Sequence, residues 1–332
     1  MTIDTVSLMR SFWPPPSPAA AQRVRDFTDG DLARTLEHTG LASSQIAEIV
    51  EHWRDVQSST KWSSLLAAGY TMVSLDRGNI DAPVPIWSDL HDEGAEGRLF
   101  YFYLFALCLD ETVSYLRQRG TPEHVIDSTM NILVQHSATY QRKWGNLGVD
   151  GGWWTLIVLR GELLQIGSLE FHLVSLGVGT LSPEWYDEAV ARNLGPGFRR
   201  GDASLGVHIP QDADFSPAAL DRTLDEARAV LGRLWPVEHR RLATCRSWIM
   251  DDRLATLLRP DSNLVRFQQR FELVPGWVED DDDVLEFVFR LPGTARGELP
   301  RRTSLERAVL GVLERGEHWH TRSGWFDFDG AS

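Results

Sequence analysis

Apolar residues recur at every third or fourth position through the first part of the chain. Ile46, Ile49, Val50 and Trp53 keep that spacing behind Ser43 and Ser44, either of which can cap, and predict a helix over 43–57. Similar spacing predicts helices over 19–28, 31–39 and 61–75, after an extended entry at Pro14, Pro15 and Pro16. A stretch rich in Pro, Asp and Gly breaks the pattern over 76–97. Behind it stands the most apolar run, 99–109, inside a helix predicted over 98–119 and closed by Gly120. Thr121, Pro122 and Glu123 then restart a helix to about residue 143. Threonine is placed to cap it, proline has the φ of a first helical residue, and the acid meets the positive end of the dipole. Four glycines over 145–152 mark the expected boundary between two domains, 1–148 and 149–332.

The period then changes. Over 166–174, Ser168, Glu170 and His172 alternate with Leu169, Phe171 and Leu173, which predicts a strand with one polar and one apolar face. Ser182-Pro183-Glu184 starts a short helix, and a Gly/Pro loop follows over 194–201. Strands are predicted over 203–209 and 242–250, with a helix between them that opens at Ser216-Pro217 and ends near Leu234. Asp251 can cap the next helix, which Pro260 interrupts and Ser262 restarts toward Phe271. Two further strands are expected over 271–278 and 284–290, separated by a solvated acidic turn at 279–283. Thr303 and Glu306 form a capping box for a helix that stops at Gly316. The fold class is α+β: a helical N-terminal domain, then a mixed sheet flanked by helices.

Length and composition fit this outline. A chain of 332 residues has room for two domains, and 42% hydrophobic residues supply cores without staples. A formal net charge of -14 excludes nucleic acid as an expected partner and disfavours anionic membrane surfaces, since phosphates need clustered Lys and Arg. A local pocket can still take an anionic ligand, and Arg160, Arg199 and Arg200 are the best-placed cations. The run 99–109 is about half the length that spans a bilayer, so no membrane segment is expected. Two cysteines in apolar runs, Cys108 and Cys245, and no signal-peptide pattern at the N-terminus point to the cytoplasm. The 13 tryptophans read chiefly as core or interface filling, and Cys245 as an inert buried thiol. The acidic run 279–283 lacks the alternating ligands and glycine of a calcium loop. His318 and His320 lack a third zinc ligand at a known spacing, so no metal is expected.

Two local sequences carry a family resemblance. Gly206-Val207-His208-Ile209-Pro210, followed by a loop and a capped helix, resembles the fourth strand of the GNAT acyltransferase fold and the helix that receives a pyrophosphate. Asn263 to Phe271 resembles that family's later helix and strand start. With 166–171, 245–251 and 303–309, the whole chain is similar to acyltransferases that join a helical N-acyltransferase N-terminal domain to a GNAT-like C-terminal domain. The resemblance implies two central strands that splay apart around the thioester of an acyl-CoA co-substrate. It implies backbone donors around Val207 and Ile209, and cofactor-binding positions at Ser216 and Asn263. Glu170 and His172 would then deprotonate a small-molecule amine acceptor, and His208 would relay a proton.

The loop Gln211-Asp212-Ala213-Asp214-Phe215-Ser216 departs from the family, holding two aspartates and no glycine. The family's general-acid tyrosine is also missing, because Phe267 is followed by Gln268. The acidic loop 211–216 favours a second reading, a binding or regulatory protein on the same scaffold that has lost its acyl-CoA site. Oligomeric state stays open at this level.

Overall fold

A computed structural model describes residues 5–83, 90–178, 187–211 and 213–330 of the chain. It contains two compact units, the first ending at Leu164 and the second beginning at Gln165.

The first unit is helical. At its centre lies the helix Phe100–Gln118, whose residues 100–109 are all buried, as is Leu99 before it. A helix that is apolar on every side is stable only when other helices wrap it. Here Thr60–Asp76, Asp29–Glu37 and Gly152–Leu159 do so. His91–Gln118 is long and apolar enough to cross a membrane by length and composition, but most of it is buried within the protein. Two large polar side chains inside this core find partners: the Tyr103 hydroxyl donates to the Ile49 carbonyl at 3.0 Å, and the Trp53 indole to that of Phe27 at 2.9 Å.

Several expectations change here. The helix expected over 43–57 is broken at His52 into Ser43–Glu51 and Trp53–Ser58. Thr121 is not the cap before Glu123: Pro122 takes that position without a side-chain bond. The four glycines do not end the helical unit. Gly151 turns the chain in the left-handed region (φ 54°), and the apolar helix Gly152–Leu159 then packs against Phe100–Gln118. That burial moves the division between units from 148/149 to 164/165.

The second unit is built on seven strands among the described residues: β1 Leu163–Ile166, β2 Leu169–Ser175, β3 Ala203–His208, β4 Leu242–Ser247, β5 Glu272–Leu273, β6 Val278–Glu279 and β7 His320–Asp327. Their order is β1-β2-β3-β4-β7-β5, with β6 also paired to β7. Only β3 and β4 are parallel among the pairs whose register is resolved, the others being antiparallel. The strand expected over 166–174 is in fact the end of one strand, a turn and a second strand. Gly167 makes the turn at φ 55°, and a Cβ there would sit 2.3 Å from the Thr223 hydroxyl. That hydroxyl accepts from the Ser168 amide at 2.9 Å, tying the hairpin to the helix Pro217–Leu234.

The strand expected over 284–290 is a helix, Asp281–Phe289, and the acidic run is its beginning rather than a turn between strands. Asp280 caps it by accepting from the Asp283 amide at 3.0 Å, and three acids in the first turn suit the helix dipole. The strand expected over 242–250 stops at Ser247, where a tight turn begins. Only two-residue strands form within 271–279. The long strand β7 had no counterpart in the sequence reading. The helix start expected at Ser182-Pro183-Glu184 lies outside the described residues.

Candidate functional site

β3 and β4 run side by side for a short distance only. Their register joins Leu205 to Ala243 and Gly206 to Thr244, and goes no further. Each strand continues with its outer neighbour instead. Val207 and His208 pair with Phe171 and Glu170 of β2, while Cys245, Arg246 and Ser247 pair with Gly324, Ser323 and Arg322 of β7. The two parallel strands therefore part at their carboxyl ends, the edge of an α/β sheet where ligands are generally received. Burial follows the same line: Val207 is buried, whereas His208, Ile209 and Pro210 are partly exposed.

Alternation sorts the side chains at this parting into two faces. Phe171, Leu205, Val207, Ala243 and Cys245 share the apolar face, where Phe171 meets Phe328 with ring centres 5.9 Å apart. Glu170, His172, Ser204, Gly206, His208, Thr244 and Arg246 share the other. The Ser204 and Thr244 hydroxyls lie 3.1 Å apart across β3 and β4, which confirms this assignment.

The three residues expected to handle protons are brought together on the polar face. His208 stands opposite Glu170, and its Nε2 lies 3.3 Å from Nδ1 of His172. Glu170 and His172 are buried. Loss of hydration, and secondarily the neighbouring His172, hold the His208 imidazole well below its ordinary 6.5. His208 is therefore neutral at pH 7 and keeps a lone pair. Gly206 makes the pairing possible: a Cβ there would lie 3.2 Å from His208 Nε2 and 3.5 Å from His172 Cβ. Sequence reading passed over this residue, whose only signal was a glycine inside a strand.

The residues expected to hold the cofactor are arranged less compactly. Val207 and Ile209 lie at the parting itself. Ser216 precedes the helix Pro217–Leu234 but makes no side-chain cap to it, so the first-turn amides are not engaged by that hydroxyl. Asp214 accepts from the Ser216 amide at 2.8 Å and from its side chain. Those bonds, with Arg222 nearby, hold the Asp214 carboxyl below its usual range. The charge of this loop is thus partly spent on fixing its own turn. Asn263 is exposed at the first position of the helix Asn263–Gln268, which Ser262 caps through the Val265 amide. Phe215 and Phe267 meet edge to face at 5.1 Å, which sets the segment before the helix Pro217–Leu234 against the last turn of Asn263–Gln268.

Other candidates fall elsewhere. Cys245 is buried on the apolar face, and burial pushes its thiol up to about 12, which fits an inert residue. Arg160 is fully buried in the helical unit, paired with Glu162 at 2.7 Å. Arg199 and Arg200 are exposed on a loop. His318 bonds to Asp281, while His320 stacks on Trp277 at 3.8 Å. Among the described residues no group of three or more His, Cys, Asp or Glu is placed to hold a metal ion.

Comparison with known proteins bears on this arrangement. Residues 30–161 match the N-acyltransferase N-terminal domain, and residues 163–326 match the GNAT-like C-terminal domain. Three similar solved structures are acyltransferases. One, a tryptophan-to-alanine mutant in complex with octanoyl-CoA, is 27% identical with a TM-score of 0.77, covering 97% of this chain and 93% of its own. Another, in complex with decanoyl-CoA and teicoplanin, is 28% identical with a TM-score of 0.75, covering 97% and 94%. A third holds CoA and 10C-teicoplanin, at 27% identity and a TM-score of 0.75, with the same coverage. No curated protein sequence matches the chain.

Proposed function

We propose that this chain, which belongs to the GNAT-like acyltransferases with an N-acyltransferase N-terminal domain, transfers an acyl group from acyl-CoA to an amine on a small molecule. The observation that carries this reading is the parting of β3 and β4 after Gly206 and Thr244. A flat acyl thioester fits between separated strands, where backbone N–H groups are not consumed by a neighbouring strand and can polarise its carbonyl.

The reaction forms a C–N bond and breaks a C–S bond. The acceptor amine must lose a proton, and the departing CoA sulfur must gain one. His208, neutral and at the parting, is the group that takes up the amine proton. His172 and Glu170 behind it share the charge that develops. The low basicity of His208 suits a relay rather than a resting base, because it releases the proton readily toward its neighbours. Ser216 and the amides that follow it offer the dipole end of a long helix to the CoA pyrophosphate. Similar structures that bind octanoyl- and decanoyl-CoA favour a medium-chain donor, and those that bind teicoplanin favour a small molecule of that kind as acceptor. The cytoplasm, where Cys108 and Cys245 persist as thiols, is the compartment this reading expects.

The test is thermal unfolding with CoA and with acetyl-, octanoyl- and decanoyl-CoA, followed by mass spectrometry of a pool of amines incubated with the donor that binds. A donor at about a hundredfold its Kd should raise Tm by roughly 5 °C or more. Absence of a shift with every acyl-CoA would overturn the proposal and favour the second reading, a scaffold protein without a donor site.

A further inference from the structure

Immediately beyond β4 the chain turns away from β3, and this turn is fastened from three sides. Trp248, Ile249 and Met250 form one tight helical turn that ends at Asp251, which has no exposed surface. The buried Gln268 reaches into it from the helix Asn263–Gln268. Its Nε2 donates to the carbonyls of Ile249 and Asp251, each at 2.7 Å. The Asp251 carboxylate accepts from the Arg253 amide and, across to β7, from the His320 amide, each at 3.0 Å. It also accepts from the Arg253 guanidinium. The Trp248 amide donates to the carboxyl of Asp283.

These bonds decide where β4 ends. A carboxamide offers two N–H donors on one nitrogen without charge, and both acceptors here are buried carbonyls. A carboxylate at position 268 would face those carbonyls with lone pairs, and an apolar side chain would leave both without this donor. By the register of the two strands, Cys245 and Arg246 are the residues that would meet Val207 and His208. The fastened turn at 248–251 anchors the end of that segment on the β7 side, and release from Gln268 and Asp251 would free it to swing toward β3.

We infer that Gln268, together with Asp251, is a positioning residue that keeps β4 parted from β3 and thereby holds the donor cleft in its binding shape. This rests on the reading that acyl-CoA enters at that parting. The residue would act through the backbone of 248–251, without touching the acyl group.

The experiment measures octanoyl-CoA affinity by calorimetry in the full-length protein, with steady-state KM for donor and acceptor and with Tm. Gln268→Met keeps the side-chain length and removes both donors. It should weaken octanoyl-CoA binding about tenfold or more while the acceptor KM stays within about twofold. Gln268→Asn keeps the amide on a shorter arm and should fall between the two. Wild-type donor affinity in Gln268→Met, with or without a lower Tm, would overturn the inference while leaving the proposed function standing. No binding of any acyl-CoA by the unaltered protein would overturn both. If Gln268→Met does not fold, Gln268→Asn decides alone: a loss confined to donor affinity supports the inference, and a lower Tm with unchanged affinity overturns it.

Discussion

The two edges of β4 are treated differently by the fold. Toward β7 it is matched over six residues, from Leu242 opposite Asp327 to Ser247 opposite Arg322. Toward β3 it is matched over two. On the closed edge Gly324 lies under Phe271 and Met250, so tightly that a side chain there has no room. On the open edge Gly206 lies beneath the movable end of a histidine. Closed pairing satisfies backbone groups within the sheet and supplies stability. Pairing that stops early leaves groups for something else to satisfy, and it does so beside the pair His172 and His208.

The largest expected effect is on the open edge. His208→Ala should lower acyl transfer by about 10²- to 10³-fold while octanoyl-CoA affinity stays within about threefold, measured by turnover and calorimetry. Full activity would remove the functional half of the comparison.

The same substitution at the two glycines should read out differently. Gly324→Ala places a Cβ 2.9 Å from Phe271 Cβ and 3.1 Å from Met250 Sδ. It should cost about 1–3 kcal/mol in urea unfolding with unchanged turnover per folded molecule. Gly206→Ala meets only the far end of His208, which can swing aside. Its stability should change by less than about 1 kcal/mol, whereas turnover should fall about tenfold as the imidazole leaves its position. Equal losses of stability at both positions would break the contrast.

Two titrations on opposite edges should run in opposite directions. Burial, then repulsion from Asp280, pushes Asp283 from the usual 3.8 up to about 6. Its contribution to stability is present below pH 4 and is lost as pH rises through 6. His208 is depressed from 6.5, so its contribution is present above pH 6.5 and is lost as pH falls below that value. Asp283→Asn should flatten the stability curve between pH 4 and 6 by on the order of 1 kcal/mol. His208→Gln should flatten it below 6.5 instead. Urea unfolding across pH 4–8 checks both, and a curve unchanged by either variant would contradict the burial that causes these shifts.

The smallest effect concerns the loop after β3. Asp214 is exposed and already engaged by Ser216. Asp214→Asn should therefore tighten CoA binding only about twofold, and less at high salt. A much larger gain would mean that this loop repels the pyrophosphate strongly.

Much of the helical framework was legible in the sequence, because caps act locally. Ser262 bonds the Val265 amide, and Thr303 with Glu306 closes the helix Ser304–Glu314 reciprocally, as their spacing predicts. The polar face of β2 was legible for the same reason: alternation alone puts Glu170 and His172 together. Sequence misled where one local pattern permits two structures. The segment after Asp280 is apolar enough for either a strand or a helix, and the cap decides for a helix. β7 was missed because Gly324 and the polar residues Thr321, Arg322 and Ser323 weaken its strand signal, while most of its stability comes from pairing with β4.

By itself, then, the sequence determined many of the helices, the strands on either side of the helix Pro217–Leu234, and the residue types available for proton transfer. Tertiary structure decided that His208 would reach His172 over a glycine, and that β4 would leave β3 after two residues. It also placed Gln268 to hold that departure. Each of these depends on partners 17 or more residues away, and no local propensity records such a contact. A period of two or of 3.6 residues carries information about one element's faces. Where two elements stop touching is a property of the pair.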